Sequence, residues 1–312
     1  MSVRSLATVV LCSVGSLFAQ STVLFETDFE PSEGYDPQKD LAGQRGWVLQ
    51  GSGGNGLLQD IFPGFGQQAY IGFQPPTDTN TFTSVWRPVD FDPIPANQPL
   101  VRAAVTLQLF PSTAGTQDDF RWSVYNNAGN RLFSIDFETS TRNISYILQD
   151  GNFAATGFSF DFEGNYDLVI WMDFKRNLWT AFLNDIVLVN SQPLASDNSP
   201  LTFGDLDAVW YIRGAPSEAG DNYMAFDNYR ISAEAVSSIP GGLEVQGINT
   251  NGFFTFTAFG EKGLKYSIDV TTDFVEWFSL GEFVNSDGSF VFEDTTSKGF
   301  SRGFYRLREV LE

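Results

Sequence analysis

The sequence contains no histidine and a single cysteine, Cys12, in 312 residues. Without histidine, Ser-His-Asp and Cys-His catalysis, histidine proton shuttles and histidine metal sites are all excluded. One cysteine cannot supply the ligands of a zinc or iron–sulfur site. Basic residues are also scarce, with 18 Lys and Arg against 38 Asp and Glu, which opposes binding to a nucleic-acid backbone. The chemistry left open is that of carboxylates, of hard cations such as Ca²⁺, and of aromatic surfaces.

Apolar and aromatic residues are plentiful. Hydrophobic residues make up 42% of the chain, and 31 residues are phenylalanine. This content is enough to build real cores in about two domains. The net charge of −20 is spread along the chain rather than gathered in a tail, so it indicates a solvated surface.

Residues 1–21 have the pattern of a secretory signal peptide. Arg4 precedes the apolar stretch Leu6–Phe18, which ends at the small-x-small cleavage pattern Ala19-Gln20-Ser21. A retained membrane anchor or lipid attachment at Cys12 is less favoured, because the stretch is short and no small residue precedes the cysteine. Cleavage removes Cys12, and a mature chain without disulfides fits a bacterial exported protein. We therefore expect a secreted, cell-surface or periplasmic protein with no membrane span in the mature chain.

Residues 22–233 are predicted to form one all-β domain. Short apolar or alternating runs recur, separated by Gly, Asn, Asp and Pro, and no stretch shows sustained helical periodicity. Hairpin turns are expected at Asn126–Asn130, Lys175–Asn177 and Asn184-Asp185. The candidate strands are Val101–Phe110, Phe120–Tyr125, Leu132–Phe137, Ile144–Leu148, Asp167–Phe174, Trp179–Leu183 and Ile186–Val189. The predicted fold is a two-sheet jelly-roll sandwich.

Residues 234–242 are predicted to be a linker, because small residues there end in Pro-Gly-Gly. Residues 243–312 repeat the β pattern on a smaller scale and predict a small immunoglobulin/fibronectin-like β-sandwich. Its candidate strands are Leu243–Ile248, Phe253–Phe259, Lys265–Thr271, Trp277–Phe283, Ser289–Phe292 and Gly303–Leu307.

Carboxylates are the side chains through which this chain would perform acid–base chemistry. A recognisable glycoside hydrolase arrangement on a β-sandwich, Glu-x-Asp-x-x-Glu on one strand, does not occur. The segments most similar to it are Asp161-Phe162-Glu163 and Asp205-Leu206-Asp207. Asp205 and Asp207 would share a strand face, but Gly204 before them suggests a turn. We interpret both pairs as polar loop or solvated strand, and we predict no catalytic residue.

A cation site is expected where the first strand of the domain meets the last. Glu26, Asp28 and Glu30 alternate along the first strand and would share one face, opposite Phe25 and Phe29. The last strand carries Asp227, and the first and last strands of a jelly roll commonly lie side by side. The four acids predict a structural Ca²⁺ site, with neutralisation by Arg230 or solvent as the alternative.

Exposed aromatic side chains could stack on sugar rings, with neighbouring polar groups binding hydroxyls. The alternative for each is burial in the core, which is the usual place for tryptophan in a two-sheet domain. The candidate glycan-stacking residues are Trp86, Trp122, Tyr125, Trp171 and Tyr211.

Several of these segments resemble concanavalin A-like, laminin G-type jelly-roll domains. The matching segments are Phe25–Glu30, Trp171–Phe174, Trp179–Asp185, Phe203–Trp210 and Phe226–Ile231. The resemblance implies a lectin-like fold. It also implies a structural calcium held by an acid near the start and one in the last strand. Asn228 stands where such modules often have a second Asp.

The C-terminal region resembles a module found at the ends of secreted proteins of Verrucomicrobia and related bacteria. Phe274 replaces the leucine usual in its Thr/Ser-Asp-Leu-x-x-Trp turn. The matching residues are Tyr266–Ile268, Thr272–Trp277, Phe292–Asp294 and Phe304–Arg306.

Together these patterns predict a secreted, non-catalytic bacterial β-sandwich protein that binds carbohydrate. The expected partner is a polysaccharide or cell-surface glycan, with Ca²⁺ as the one cofactor considered. A first alternative is an envelope structural or adhesion protein that binds another protein. A second is a polysaccharide-degrading hydrolase or lyase with an accessory module.

Overall fold

The computed structural model describes residues 21–197, 199–235, 242–260, 265–273, 275–285, 289–299 and 302–310. The expected signal peptide, apart from its last residue, and Cys12 lie outside the described residues. The chain divides into two compact units, one spanning Ala19–Val236 and one containing Ser237–Glu312. The division falls within the segment expected to be a linker, whose first and last residues, Glu234 and Gly242, belong to strands.

The first unit is built of β-strands with two short 3₁₀ turns, Pro31–Glu33 and Pro216–Glu218. The first eight strands are β1 (Thr22–Thr27), β2 (Val48–Gln50), β3 (Asn55–Gln59), β4 (Gln67–Gly72), β5 (Phe82–Trp86), β6 (Leu100–Phe110), β7 (Asp119–Tyr125) and β8 (Arg131–Glu138). The others are β9 (Asn143–Leu148), β10 (Phe153–Ser159), β11 (Tyr166–Asp173), β12 (Leu178–Leu183), β13 (Ile186–Pro193), β14 (Asp205–Tyr211) and β15 (Tyr223–Glu234).

These strands form two antiparallel sheets. An eight-stranded sheet has the order β13-β12-β11-β6-β15-β4-β3, and β1 also pairs with β15. A seven-stranded sheet has the order β10-β9-β8-β7-β14-β5-β2. Side chains from both sheets share one hydrophobic core, which confirms the predicted all-β, two-sheet sandwich. Within the described residues, no helix is long and apolar enough to cross a membrane.

Large aromatic side chains join the two sheets. The ring of Trp122 on β7 meets that of Phe226 on β15 at 5.3 Å between centroids. Phe133 on β8 stacks on Trp179 of β12 at 3.8 Å. Trp122 has no exposed surface, so its prediction as a surface ring for stacking on sugars is wrong. The physical reason is parity, because Trp122 shares the inner face of β7 with Phe120 and Val124.

Two hairpins show how local sequence sets strand pairing. In the turn between β7 and β8, the Asn126 side-chain oxygen accepts the N–H groups of Ala128 and Asn130, each at 3.0 Å. Between β12 and β13, Asn184 and Asp185 both have positive φ, 48° and 63°. Asn and Asp tolerate this left-handed conformation, which two-residue hairpin turns require. These two predicted turns are confirmed, and the third, Lys175–Asn177, is also a turn, between β11 and β12.

The first strand lies beside the last, as expected, but it is shorter than predicted. β1 pairs with β15 in a register that sets Glu26 opposite Arg230 and ends at Thr27. Phe29 then adopts a positive φ of 57° and is fully buried. The prediction that Glu26, Asp28 and Glu30 alternate along one continuous strand is therefore wrong, because the extended conformation ends before Glu30.

The second unit is a small sandwich of two three-stranded sheets. Its strands are β16 (Gly242–Ile248), β17 (Phe254–Phe259), β18 (Lys265–Thr271), β19 (Phe278–Val284), β20 (Ser289–Asp294) and β21 (Phe304–Glu309), with a 3₁₀ turn at Ser297–Gly299. The sheet orders are β16-β17-β20 and β19-β18-β21. Phe256 and Tyr305 join the sheets through a ring contact at 5.2 Å.

Residues of the C-terminal sequence pattern make structural contacts in this second unit. The Tyr305 hydroxyl donates to Asp294 Oδ2 at 2.8 Å. The guanidinium of Arg306 lies 4.1 Å from the ring centroid of Trp277 and pairs with buried Asp269 at 3.0 Å. Phe274 lies outside the described residues. These contacts indicate that the pattern stabilises the module.

Replacing Trp122 tests its assignment to the core. We expect Trp122→Ala to lower the free energy of unfolding by about 3–5 kcal/mol, because it leaves a large cavity between the sheets. The matched control is Trp86→Ala at a partly exposed position, for which we expect a clearly smaller loss. Urea denaturation measures both, and equal losses would contradict the placement of Trp122.

Candidate functional site

The outer face of the seven-stranded sheet carries a groove that crosses the strands. Strand pairing sets Asp207 of β14 opposite Ser123 of β7, and Ser123 opposite Ser134 of β8. The two serine hydroxyls lie 2.7 Å apart. Small side chains on neighbouring strands thus form the floor of the groove. The next outward-facing pair on β14 and β7, Asp205 and Tyr125, is larger and stands higher beside it.

The groove has a volume of about 490 Å³ and combines aromatic, hydroxyl, amide and charged side chains. This mixture is typical of a site that binds a ligand with apolar faces and polar edges. The lining residues are Gln50, Phe82, Ser84, Trp86, Pro88, Asp90, Arg121, Ser123, Tyr125, Asn126, Asn127, Gly129, Arg131, Ser134, Asp205, Asp207, Val209 and Tyr211.

Three of the five aromatic residues predicted from sequence lie in this groove. Trp86, Tyr125 and Tyr211 are each partly exposed there. The guanidinium of Arg121 lies 3.9 Å from the ring centroid of Tyr211 and covers that face of the ring. Arg121 also pairs with Asp136 at 3.1 Å. Trp86 and Tyr125 are therefore the rings best placed to receive a stacking ligand.

The other two aromatic candidates lie elsewhere. Trp122 is in the core. Trp171 belongs to β11 on the opposite sheet, where Arg102 lies 5.8 Å from its ring centroid. A separate depression of about 420 Å³ surrounds Trp171, lined also by Val169, Phe182, Asp185 and Glu234. The structure therefore distributes the five candidates over three places.

The most unusual electrostatic feature of the groove is a pair of carboxyl groups. Asp207 is 6% exposed and accepts a hydrogen bond from the Ser84 hydroxyl at 2.7 Å. Burial first, and then the charge and hydrogen bond of Asp205, raise the pKa of Asp207 well above its usual range. Burial also raises the pKa of Asp205 to about 6, opposed by a hydrogen bond from Asp207. The two carboxyl groups thus titrate as a pair that favours sharing one proton over ionising twice.

The sequence alone favoured a polar loop or a solvated strand for this pair. The turn expected at Gly204 is not found: its N–H bonds across to the carbonyl of Tyr125 at 2.8 Å, and a strand begins directly after it. The signal that identifies the strand is the alternation of Leu206, Ala208 and Trp210, all buried in the core. That alternation sends the two aspartates to the opposite face. Ser84, Ser123 and Ser134 carry no comparable sequence signal.

The four acids predicted to bind calcium are placed near the β1–β15 edge but do not act as one group. Glu26 forms an ion pair with Arg230 at 2.7 Å, which is the neutralisation considered as the alternative. Glu30 accepts the N–H of Gln67 at 3.0 Å. Asp227 is buried, and burial first raises its pKa to about 7, with the charges of Asp28 and Glu30 adding to the effect. Among the described residues, no three His, Cys, Asp or Glu side chains are grouped so that they could hold a metal ion.

The fold and the groove define the first unit as a two-sheet jelly-roll sandwich with an open, partly aromatic groove on the outer face of one sheet. No protein-family model and no curated protein matches the chain. Several solved structures are similar over about two thirds of its length.

A sialidase aligns with 8% identity and a TM-score of 0.47, over 67% of this chain but 18% of the sialidase. A carbohydrate esterase of the Shiga toxin-encoding bacteriophage phi24B has 12% identity and a TM-score of 0.44, over 69% of this chain and 99% of the esterase. Lectin II from Ulex europaeus has 10% identity and a TM-score of 0.42, over 69% of this chain and 98% of the lectin. Similarity at this level does not identify a ligand or an activity for this chain.

The carboxyl pair predicts a pH-dependent stability. A raised pKa means that folded Asp207 keeps a proton that the unfolded chain releases above about pH 4, so wild-type stability falls as pH rises through that range. Asp207→Asn removes the charge and keeps a donor. We expect its Tm to equal the wild-type Tm near pH 4 and to exceed it at pH 8. The difference should be about 2–4 °C for each kcal/mol by which the substitution raises the free energy of unfolding.

Thermal unfolding between pH 4 and pH 8 measures this difference. The control is Asp60→Asn, at an exposed position outside the groove. A constant difference between Asp207→Asn and wild type across this range would contradict the shared proton.

Proposed function

We propose that this chain is an exported, carbohydrate-binding β-sandwich protein that holds a glycan in the groove of the seven-stranded sheet. The observation that carries the proposal is the meeting of Trp86 and Tyr125 with serine hydroxyls and carboxyl groups in one open groove. Export rests on the signal-peptide pattern of residues 1–21. We place the protein outside the cell or at the cell surface.

The chemistry of a sugar ring suits this groove. A pyranose has an apolar face of C–H groups, which packs on an aromatic ring, and an edge of hydroxyls, which needs hydrogen-bonding partners. Tyr125 and Trp86 supply rings and Asp205 supplies a partly exposed carboxyl group, while the buried Ser123 and Ser134, whose hydroxyls bond to each other, form the floor of the groove. Because the floor of the groove crosses the strands, an extended glycan would lie across β14, β7 and β8.

The geometry of the carboxyl pair favours binding over glycoside hydrolysis. Hydrolysis requires two carboxyl groups about 5–5.5 Å apart for retention, or about 6.5–9.5 Å apart for inversion. Asp205 and Asp207 share a hydrogen bond, so they are too close to flank a scissile bond as acid and nucleophile. The hydrolase alternative would therefore need a different pair.

Glycan binding can be tested on a polysaccharide microarray with and without Ca²⁺. We expect binding to at least one polysaccharide, and we expect Trp86→Ala to weaken it about tenfold, because the loss of a stacking ring costs about 1 kcal/mol or more. The matched control is Trp171→Ala, which removes an indole from the other sheet and should leave the affinity unchanged.

Other outcomes would support the alternatives. Absence of binding to every glycan, together with a specific protein captured in a pull-down, would favour an envelope adhesion protein. Release of reducing sugar or of unsaturated products would establish a hydrolase or a lyase.

We also propose a structural Ca²⁺ near Asp227, as a separate prediction from glycan binding. Its support is the buried Asp227 carboxyl with Asp28 and Glu30 close enough to raise its pKa. Carboxylate oxygens are the ligands that Ca²⁺ prefers. EDTA should lower the Tm of the wild type, and Asp227→Ala should abolish that difference. An unchanged Tm after chelation would contradict the site.

A further inference from the structure

Among the described residues of the first unit, Asp207 and Asp136 are the two deeply buried aspartates with an oxygen that has no hydrogen-bond partner, but Asp136 pairs with the guanidinium of Arg121 at 3.1 Å, whereas no ion pair is found for Asp207. Asp118 is fully buried and accepts the backbone N–H groups of Arg213 at 3.0 Å and Gly220 at 2.7 Å. Asp119 pairs with Arg213 at 2.8 Å and accepts the N–H of Thr139. Asp207 accepts one hydrogen bond, from the Ser84 hydroxyl to Oδ2, and among the described residues no N–H or hydroxyl group donates to Oδ1.

The second oxygen of Asp207 is buried and lies at the floor of the groove. Oδ1 receives no N–H or hydroxyl donor from the described part of the chain. The Asp205 carboxyl is close enough for its charge and hydrogen bond to raise the pKa of Asp207. Structural carboxylates are normally satisfied by the fold itself, because leaving a buried polar atom unsatisfied is costly. This arrangement therefore suggests a role that involves a ligand.

Asp205 is the half-exposed member of the pair and faces the groove. Tyr125 lies directly opposite it on β7, and Trp86 follows Ser84 on the same face of β5. When Asp207 holds the proton, Asp205 is an ionised acceptor. It lies between the rings of Tyr125 and Trp86, on which a ligand can stack. Hydrogen bonds to an ionised acceptor are about twice as strong as neutral ones.

We propose that Asp205 and Asp207 form the hydroxyl-binding centre of the groove, and that its ligand is a neutral sugar ring with two adjacent free hydroxyls. This inference rests on the proposed glycan-binding function. Asp205 accepts a hydrogen bond from each of the two hydroxyls of a ring stacked on Tyr125 or Trp86. Asp207 is a positioning residue, which donates to Asp205 and is itself held by Ser84.

The charges around Asp205 favour a neutral sugar over an acidic one. The charged group that acts on Asp205 from outside the pair is Asp90, which carries the same sign. Two guanidinium groups line the groove: Arg121 is already engaged by Asp136 and Tyr211, and Arg131 donates to the carbonyl of Leu148 at 3.2 Å. A uronic acid carboxylate beside Asp205 would therefore meet two acids, and like charges in a partly buried site repel strongly.

Calorimetric titration with defined polysaccharides tests the centre. The neutral probes are laminarin, xylan, galactomannan and dextran, and the acidic probes are alginate and polygalacturonate. We expect the wild type to bind a neutral probe more tightly than either acidic one. For that neutral probe, Asp205→Asn should weaken binding about tenfold or more, since a hydrogen bond to a charged group contributes about 1.5–3 kcal/mol.

The role of Asp207 is tested by a pair of substitutions. Asp207→Ala should weaken binding about as much as Asp205→Asn, because the donor that positions Asp205 is lost. Asp207→Asn should recover most of that loss, because its amide still donates. An O-methylated form of the same neutral probe should bind the wild type about tenfold more weakly, while remaining sensitive to Trp86→Ala. Circular dichroism confirms that each variant is folded.

The outcomes separate this inference from the proposed function. If the wild type binds and Trp86→Ala weakens binding, but Asp205→Asn binds like the wild type, the groove is correct and the hydroxyl-binding centre is overturned. Tighter binding of alginate or polygalacturonate than of every neutral probe also overturns it. If the wild type binds no probe and no array glycan, both the proposed function and the hydroxyl-binding centre are overturned.

Discussion

The two-residue period of β14 is the constraint on which the groove depends. Leu206, Ala208 and Trp210 are buried in the core, and the Tyr229 hydroxyl donates to the Leu206 carbonyl at 3.0 Å, tying β14 to the opposite sheet. With those side chains fixed inward, Asp205 and Asp207 must face outward. A register slip of one residue would place carboxyl groups in the core, so the same packing that stabilises the sandwich also fixes the site.

A buried carboxyl pair costs stability, and its surroundings offset part of that cost. Asp207 loses most of its hydration, and the single hydroxyl of Ser84 replaces little of it. Sharing a proton with Asp205 removes one of two like charges from a site of low dielectric constant. Asp118 shows the other solution, in which two backbone N–H groups satisfy the carboxylate. The fold therefore satisfies Asp118 fully with backbone donors, whereas one oxygen of Asp207, like one of Asp136, has no hydrogen-bond partner among the described residues.

The sequence predicted the strand content, the Asn126–Asn130 and Asn184-Asp185 turns, and the pairing of the first strand with the last, because each depends on local chemistry or on a period of two. The alternation of side chains between the two faces of a strand also argues against one of the predictions. Trp122 and Tyr125 are three residues apart on one strand, so they cannot share a face, and Arg121 and Ser123 already mark the outer one. The positive φ of Phe29, which ends the first extended segment early, has no local sequence signal.

The groove itself could not be predicted, because its residues are brought together by sheet order. A ligand that crosses the strands contacts one short segment of each, and the sheet order β8-β7-β14-β5 joins Ser134, Ser123, Asp207 and Ser84. Of these neighbours, only β7 and β8 are joined by a hairpin. Serines and aspartates separated by dozens of residues form no motif, whereas a site built on one strand would leave a spaced signature. The information that specifies such a groove therefore lies in strand order and parity, and it becomes visible only when the pairing is known.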